Sequence, residues 1–503
     1  MKNNLFIFLH SHLPFSLNKG RWPFGEEWLF EIALSTYLPM LKIFLELKDE
    51  NIIFHLNLGL TPVLIDQLKS EYFKEKFLEY IEIKEKKGLS DYEKYQDDNN
   101  IKVLVNHYIE ELYNLKNLFI KINFDIVDAF NELQKEDYLE IATSAITHAY
   151  LPLLKYDESR ELQIKNGIIV HKNYINKDPN IIWLPECAYK PGIEKILKEE
   201  KINFFILNYH SLIEENKEIF RYGKGEMKFD LNDKFSTLFL YKTDEGPYVL
   251  LRNPETSEKV WSRDYGYPGD GDYREFHKKS ENSGFQYWRI TDKNISLGDK
   301  DYYNFEKADE KAKIHALDFK NNLEKIFIDF NQNYNLEGII VCAYDTELFG
   351  HWWYEGIQFM KELLKLSSNS EIYKTTTTKD LIEEVPIKKG KFSESSWGLG
   401  GFHYTWFNSE TMWMWEKIHE IEDIFMKIGN IDKDKLNALL KEKFLLESSD
   451  FPFLVTTSTA KDYAINRFNE HYNKFKMLLE EKITVDEINR DDFVFNNVNL
   501  RMF

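Results

Sequence analysis

One pattern recurs along the chain and limits what it can fold into. A short apolar run with β-branched residues ends in a polar, chemistry-bearing residue, and a helical stretch follows. Leu5–Leu9 ends at His10-Ser11-His12, the 139–150 stretch ends near His148, and Ile181–Leu184 ends at Pro185-Glu186. Asn203–Leu207 is followed by His210, and Ile339–Ala343 leads into Asp345 and Glu347, then Gly350-His351-Trp352-Trp353-Tyr354-Glu355-Gly356. Short uninterrupted apolar runs are the signature of strands buried on both faces. Strands alternating with helices build parallel sheets, whose ligands gather at the carboxyl ends of the strands. The fold class expected is therefore α/β, a barrel or an open parallel sheet.

Three regions depart from this pattern. From Val63 to about Glu136 the chain is charged and helical, broken near 88–100, and carries no evident chemistry. Residues 211–300 contain a hairpin, with strands in Phe235–Tyr241 and Tyr248–Leu251 around Asp244-Glu245-Gly246-Pro247. A Gly- and aromatic-rich loop follows, with Trp261, Tyr265, Tyr267 and Tyr273. Past residue 405 the text is helical, with Trp415, Ile418, Ile421, Phe425 and Ile428 on one face.

Composition narrows the function. The 503 residues carry a net charge of -19, which disfavours nucleic acid as a partner. No phosphate-binding loop occurs. Aromatics reach 16%, and Trp and Tyr beside carboxylates suit a sugar-binding cleft. Two cysteines, Cys187 and Cys342, with no CxxC, suggest a reducing compartment. The N-terminal apolar run is too short for a signal peptide, and no segment approaches a membrane span. A soluble cytoplasmic chain is the expectation.

Glu186 and Asp345 each sit just past an apolar strand. Retaining glycosidases use two carboxyl groups about 5–5.5 Å apart, one nucleophile and one acid/base. Strands of one closed sheet can bring such residues together from distant sequence positions. His10, His12, His148, His210 and His351 also lie at or beyond strand ends, and as neutral groups can bind hydroxyls and tune the carboxylates. The same histidines leave a second reading open, in which His10-x-His12 with an aspartate and a further histidine binds a divalent metal for hydrolysis. A glucan-binding protein without catalysis is the third.

Several stretches together resemble the alpha-glucan branching enzymes and amylase-like proteins of glycoside hydrolase family 57. They are HSHLPF at 10–15, EIATSAITHAYLPLL at 140–154, WLPECAY at 183–189, VWSRDYGYPGDGDYREFH at 260–277, YDTELFGHWWYEG at 344–356 and FPFLVTTSTAKDYAINRF at 451–468. The resemblance implies an incomplete (β/α)7 barrel over 1–404, with a small inserted domain at about 190–235, and a helical C-terminal domain over 405–503. It implies Glu186 as nucleophile, Asp345 as acid/base, and no metal or other cofactor. It implies substrate contacts from His10, His12, Trp22, His148, Trp261, His351, Trp397 and Trp406. The implied substrate is an α-1,4-glucan, with a monomer as the default state and neither nucleic acid nor membrane as partner.

The activity implied is 1,4-alpha-glucan branching, with an α-amylase-type hydrolase of the same family as the alternative. Branching members guard the intermediate with a tyrosine-bearing loop. Here residues 211–247 follow that pattern poorly, and Tyr222 and Tyr241 are both candidates for the tyrosine.

Overall fold

The computed structural model describes residues 2–21, 24–213, 219–222, 225–230, 235–429 and 431–501. Seven parallel strands form the barrel: β1 (Asn3–Ser11), β2 (Leu56–Leu60), β3 (Leu139–Ser144), β4 (Ile181–Trp183), β5 (Phe204–Asn208), β9 (Tyr248–Arg252) and β10 (Ile339–Asp345). They pair in that order, and β10 returns to β1. The seam between β9 and β10 is one residue pair, Arg252 beside Val341, extended by the Asn253 amide donating to the Val341 carbonyl at 2.9 Å.

A second irregularity lies between β1 and β2. β1 pairs with β2 only through Phe8–Ser11, and its first residues pair instead with a short parallel strand, β11 (Tyr373–Thr375). Asn57 bridges this stagger, its side-chain amide donating to the carbonyls of Ile7 and Thr376 at 3.1 Å each. A seven-stranded barrel closed by one pair and patched by an extra strand is what the incomplete barrel amounts to.

Strand alternation decides which side chains reach the interior. Phe6, Phe8, Ala142, Ile181, Trp183, Phe204, Ile206, Leu250, Ile339, Val341 and Ala343 form one buried cluster inside the barrel. Their neighbours Leu5, Ile7, Leu9, Ile340 and Cys342 join the larger cluster under the surrounding helices. Continuing by twos past Phe8 and Ala343 reaches His10 and Asp345, which are register partners across β1 and β10. The step after Leu250 is Arg252. The barrel's apolar filling thus stops where its polar top begins.

The region 211–300 contains the hairpin read from sequence, as β8 (Leu240–Lys242) antiparallel to β9, with β12 (Ile387–Lys389) added to β8. The 190–235 stretch needs correction as an inserted unit. It contains the helix Ile193–Glu199 and barrel strand β5, because the apolar run of β5 is needed to bridge β4 and β9. The separate sheet within it is narrower, the antiparallel pair β6 (Ile219–Tyr222) and β7 (Gly225–Asp230). The helical break near 88–100 is also shorter than expected, from Tyr95 to Asp98, with Gly88 inside a helix against Phe285.

One helical stretch, Glu26–Asp49, is long and apolar enough to cross a membrane, contrary to the reading that no segment approaches a span. Two-thirds of its window is buried against the barrel and neighbouring helices, which accounts for its composition. It carries a π-helical turn at Ala33–Tyr37. The helices Met412–Phe425, Lys433–Leu446, Asp450–Thr457 and Lys461–Leu479 pack beside the barrel top. They are tied to it by Thr147 Oγ1 donating to the Phe444 carbonyl at 2.5 Å and Gln163 Nε2 to Glu447 Oε2 at 2.8 Å.

Gly350 ends the turn that follows Asp345. Its φ is +96°, and a Cβ there would come 1.9 Å from the carbonyl oxygen of Ser35 in the π-helical turn. Gly350→Ala is expected to cost about 1–3 kcal/mol from backbone conformation alone, with the clash added. Chemical denaturation should show a lower midpoint. An unchanged midpoint would mean that the turn is not held against Ser35.

Candidate active site

Glu186 and Asp345 project at the same end of the barrel from β4 and β10. In stretches otherwise buried, these two residues keep partial exposure. The turn after β4 is sharp: Glu186 has φ 62°, ψ 22°, and Cys187 follows with φ 50°. A left-handed backbone at a residue with a Cβ costs about 1–2 kcal/mol, so surrounding contacts must hold it. They do. The Glu186 carbonyl accepts from the Trp397 amide at 3.0 Å, and its carboxylate accepts from Trp397 Nε1 at 2.8 Å and from Ser449 Oγ at 2.9 Å.

The Ser449 bond sets the histidines behind it. Its hydroxyl has one proton, directed to Glu186, so the His148 Nδ1 at 2.9 Å must be the donor to Ser449. Neutral His148 then accepts at Nε2 from His10 Nε2, 3.0 Å away. Burial, then the neighbouring histidines, hold the His10 pKa well below its usual range. Burial and His12 do the same for His148. His148 itself takes φ 58°, which turns its ring under Ser449. The result is a chain of neutral groups from His10 to Glu186, with fixed proton positions. Trp183 closes it from below, its ring 4.8 Å from that of His10.

His12 lies beside this chain, 3.9 Å ring to ring from His148. It contacts Asp450 Oδ2 through Nε2 at 2.9 Å and Thr61 Oγ1 through Nδ1 at 2.9 Å. Burial alone would push Asp450 up, but the charge and hydrogen bond of His12 hold it down at about 2. His12, His148 and Asp450 present ligand atoms within 4.8 Å of one another, so this trio, and not His10 with His12, is the set that could hold a cation here. Each of those atoms already has a hydrogen-bond partner. Two further acidic sets, Glu442/His471/Asp492 and Glu470/Asp491/Asp492, sit among Lys19, Lys441, Arg467 and Lys474, which supply the compensating charge.

The two carboxyl groups differ in surroundings. Burial raises Glu186 to about 7, opposed by the Trp397 and Ser449 bonds and assisted by the charges of Asp450 and Asp345. Asp345 is raised further, to about 8, by burial and then by the Glu347 charge, with Arg252 opposing. Glu347 points back to Tyr37, whose hydroxyl donates to it at 2.5 Å, and accepts from the His12 amide at 3.1 Å. Arg252 donates to the Ala343 carbonyl from Nε and Nη2, and its guanidinium lies 5.0 Å from the Trp397 ring centre. Both carboxyl groups are raised, Asp345 further than Glu186, so one can stay protonated while the other ionises, the division of labour that acid/base chemistry on a glycosidic bond requires.

Not all expected contact residues converge here. His10, His12, His148 and Trp397 do. Trp406 does not: it is 1% exposed, stacked on Tyr150 at 4.5 Å, and its carbonyl accepts from Trp415 Nε1. Its apolar surface serves the join between barrel and helices. Trp261 is 39% exposed at the end of the helix Pro254–Trp261. His351 faces a different cavity, beside Ser35 and Phe276. Trp22 lies outside the described residues, as does the Tyr222 side chain. Tyr241 is 3% exposed, donates to the Ser236 carbonyl and packs on Phe392, which makes it a core residue.

Ser449, Asp450, Arg252, Tyr37 and Trp183 were not singled out from sequence. Ser448-Ser449-Asp450 before an apolar helix reads as an ordinary N-cap. Arg252 was legible by parity, two residues past the interior Leu250.

Two family models match the chain end to end, glycosyl hydrolase family 57 over residues 6–390 and 1,4-alpha-glucan branching enzyme, C-terminal, over 410–503. The chain is 38% identical to the 1,4-alpha-glucan branching enzyme TK1436 of Thermococcus kodakarensis, over 98% of this chain and 75% of that one. Its structure resembles that of the GH57-type branching enzyme of Pyrococcus horikoshii, with a TM-score of 0.91, 38% identity, and coverage of 99% and 96% of the two chains. The alpha-amylase AmyC of Thermotoga maritima is also similar, with a TM-score of 0.86, 30% identity, and coverage of 100% and 99%. A site of two unequal carboxyl groups at the top of a seven-stranded barrel, and a family match over most of the sequence, lead to one statement: this chain belongs to glycosyl hydrolase family 57.

Proposed function

We propose that the chain is a 1,4-alpha-glucan branching enzyme, which cleaves an α-1,4 bond with retention and transfers the released chain to a 6-hydroxyl. Glu186 is the nucleophile and Asp345 the acid/base. The observation that carries the reading is the asymmetry of the two carboxyl groups. Glu186 receives one donor on each oxygen, which favours its carboxylate. Asp345 is governed instead by burial and by the charge of Glu347, which favour its protonated form.

The steps follow from those states. Asp345 gives its proton to the glycosidic oxygen as the bond to the anomeric carbon breaks. Glu186 attacks that carbon, and a glycosyl ester replaces the glycosidic bond. Asp345, now a carboxylate, takes the proton of an incoming 6-hydroxyl, whose oxygen displaces Glu186. Two displacements retain configuration. Trp397 and Ser449 hold the attacking carboxylate in place without spending side-chain freedom at the moment of reaction. The match of residues 410–503 to the branching-enzyme C-terminal model favours transfer over hydrolysis.

Hydrolysis is the second reading, favoured by the likeness to AmyC. The first steps are shared, and water takes the place of the acceptor hydroxyl. The domains follow the same division: the barrel elements carry the chemistry, and 405–503 supplies Ser449 and Asp450 to it.

Purified protein on amylose should produce new α-1,6 linkages, counted after debranching, with few net reducing ends. Reducing ends rising without branches would assign it as an amylase. Glu186→Gln and Asp345→Asn should each lower turnover by about two orders of magnitude or more while leaving the fold intact. Near-normal turnover in either variant would refute the assignment.

The pH dependence follows from the two shifts. Activity needs Glu186 ionised and Asp345 protonated, so kcat/KM should rise through about pH 7 and fall through about pH 8. Glu347→Gln removes the charge that helps raise Asp345, so the alkaline limb should move to lower pH with the acid limb nearly in place. An alkaline limb that stays fixed would show that Glu347 does not act on Asp345.

A further inference from the structure

The turn that carries Asp345 has a second face. Glu347 points from it toward Tyr37 and the catalytic side, while His351, Tyr354 and Glu355, a few residues on, line a separate cavity of about 500 Å³. That volume lies within the roughly 300–1,000 Å³ of sites that take small ligands. The cavity runs between the helical stretch Glu26–Asp49, the helices Glu71–Lys94 and Asn99–Lys121, and the loop around Arg274–Gln286. The proposed catalytic carboxylates do not line it.

Its lining has a definite chemistry. Five carboxylates face four cations, so neither sign predominates. Most are already paired: Glu31 with Lys279 at 3.1 Å, Lys361 with Glu46 at 2.6 Å, and Glu111 with the Tyr354 hydroxyl at 2.5 Å. The Arg274 guanidinium is spread over the Tyr354 ring, 3.7 Å from its centre. Lys84 spends its ammonium on the Ser283 carbonyl at 3.2 Å, so an anion or a cation would find few free counter-charges. The rest of the lining is largely aromatic, with Phe276, Phe285 and Phe305 partly exposed and Tyr108 and Tyr303 buried in the wall, among groups that hydrogen-bond.

Glu355 shows where such a bond is missing. Its Oε1 accepts from the Arg274 amide at 2.9 Å, but Oε2 is buried and completes no hydrogen bond of ordinary geometry, although Tyr303 stands near. A buried polar atom without a partner is costly, and a small rearrangement toward a hydroxyl-bearing ligand would satisfy it. At the rim, Phe276 packs on Trp352 at 4.6 Å, and Trp352 is 54% exposed. Aromatic surface therefore continues from the cavity to solvent.

We propose that this cavity is a second carbohydrate site, which takes a short neutral α-glucan segment behind the turn that bears Asp345. The ligand class rests on the reading of the enzyme as glucan-acting. The cavity is separate from the cleft, so a bound segment anchors a chain without occupying the reaction centre.

The test is calorimetric titration of maltotriose into the full-length protein carrying Glu186→Gln, which removes turnover. Two binding sites per chain are expected. Adding Gln358→Trp, which fills the cavity from the helix Gly356–Ser368, should remove one site and leave the other. Adding Phe276→Ala, which removes one wall, should weaken that same site about threefold to tenfold. With Glu186 restored, Gln358→Trp should raise KM on amylose and keep kcat if the cavity anchors polymer. If it instead takes free oligosaccharide, KM on amylose stays unchanged while the maltotriose site is still lost. The same number of sites with the same affinities in all variants would overturn the proposal. The branching assay on the wild-type protein is read independently, so failure of the cavity and failure of the catalytic reading are told apart.

Discussion

The left-handed turn at Glu186 is the constraint on which the site depends. A glutamate does not adopt φ 62° unaided, and the donors that hold it come from distant parts of the chain: Trp397 from the loop after β12 and Ser449 from the start of a C-terminal helix. The carboxylate is therefore in place only when barrel, loop and helical body are assembled together. Of the buried contacts that join them, Thr147 to Phe444 starts next to His148, and Gln163 to Glu447 ends two residues before Ser449.

Electrostatics are arranged around that turn. Neutral His10 and His148 bring hydrogen bonding to Glu186 without adding a positive charge that would depress it. Asp450, ionised beside it, is matched to His12. Its negative charge joins burial in raising Glu186, against the Trp397 and Ser449 bonds. Asp345 is governed from the other side by Glu347 and Arg252. Two carboxyl groups at one barrel mouth thus acquire different protonation tendencies from different neighbours, as acid/base pairs do generally.

Much of this was legible in the sequence. The apolar runs IIVCAYD and LFIFLH put His10 and Asp345 at the ends of strands, and the strand register then places them side by side. What escaped were features that depend on long-range packing. Ser449 looks like a helix cap, because a serine before an apolar helix has the same local chemistry whether it caps or reaches a carboxylate. Trp406 and His351 carry suitable chemistry in suitable motifs, but one is absorbed into the core beside Tyr150 and the other turns to the opposite face of its loop. Sequence supplies residue type and parity, and neither states which of two faces a loop residue will choose. The bounds 190–235 come from the resemblance alone and overlap Asn203–Leu207, which the residues themselves mark as a strand of the sheet.

The central claim is that Glu186 becomes covalently attached to the sugar. It is tested most directly by incubating the Asp345→Asn protein with α-glucosyl fluoride, whose leaving group departs without an acid, and mapping the adduct by mass spectrometry of its peptides. Without Asp345 to activate an acceptor, the intermediate should accumulate, with one glucosyl unit on the peptide containing Glu186. An adduct on another residue, or fluoride release with no adduct on that peptide, would contradict the account.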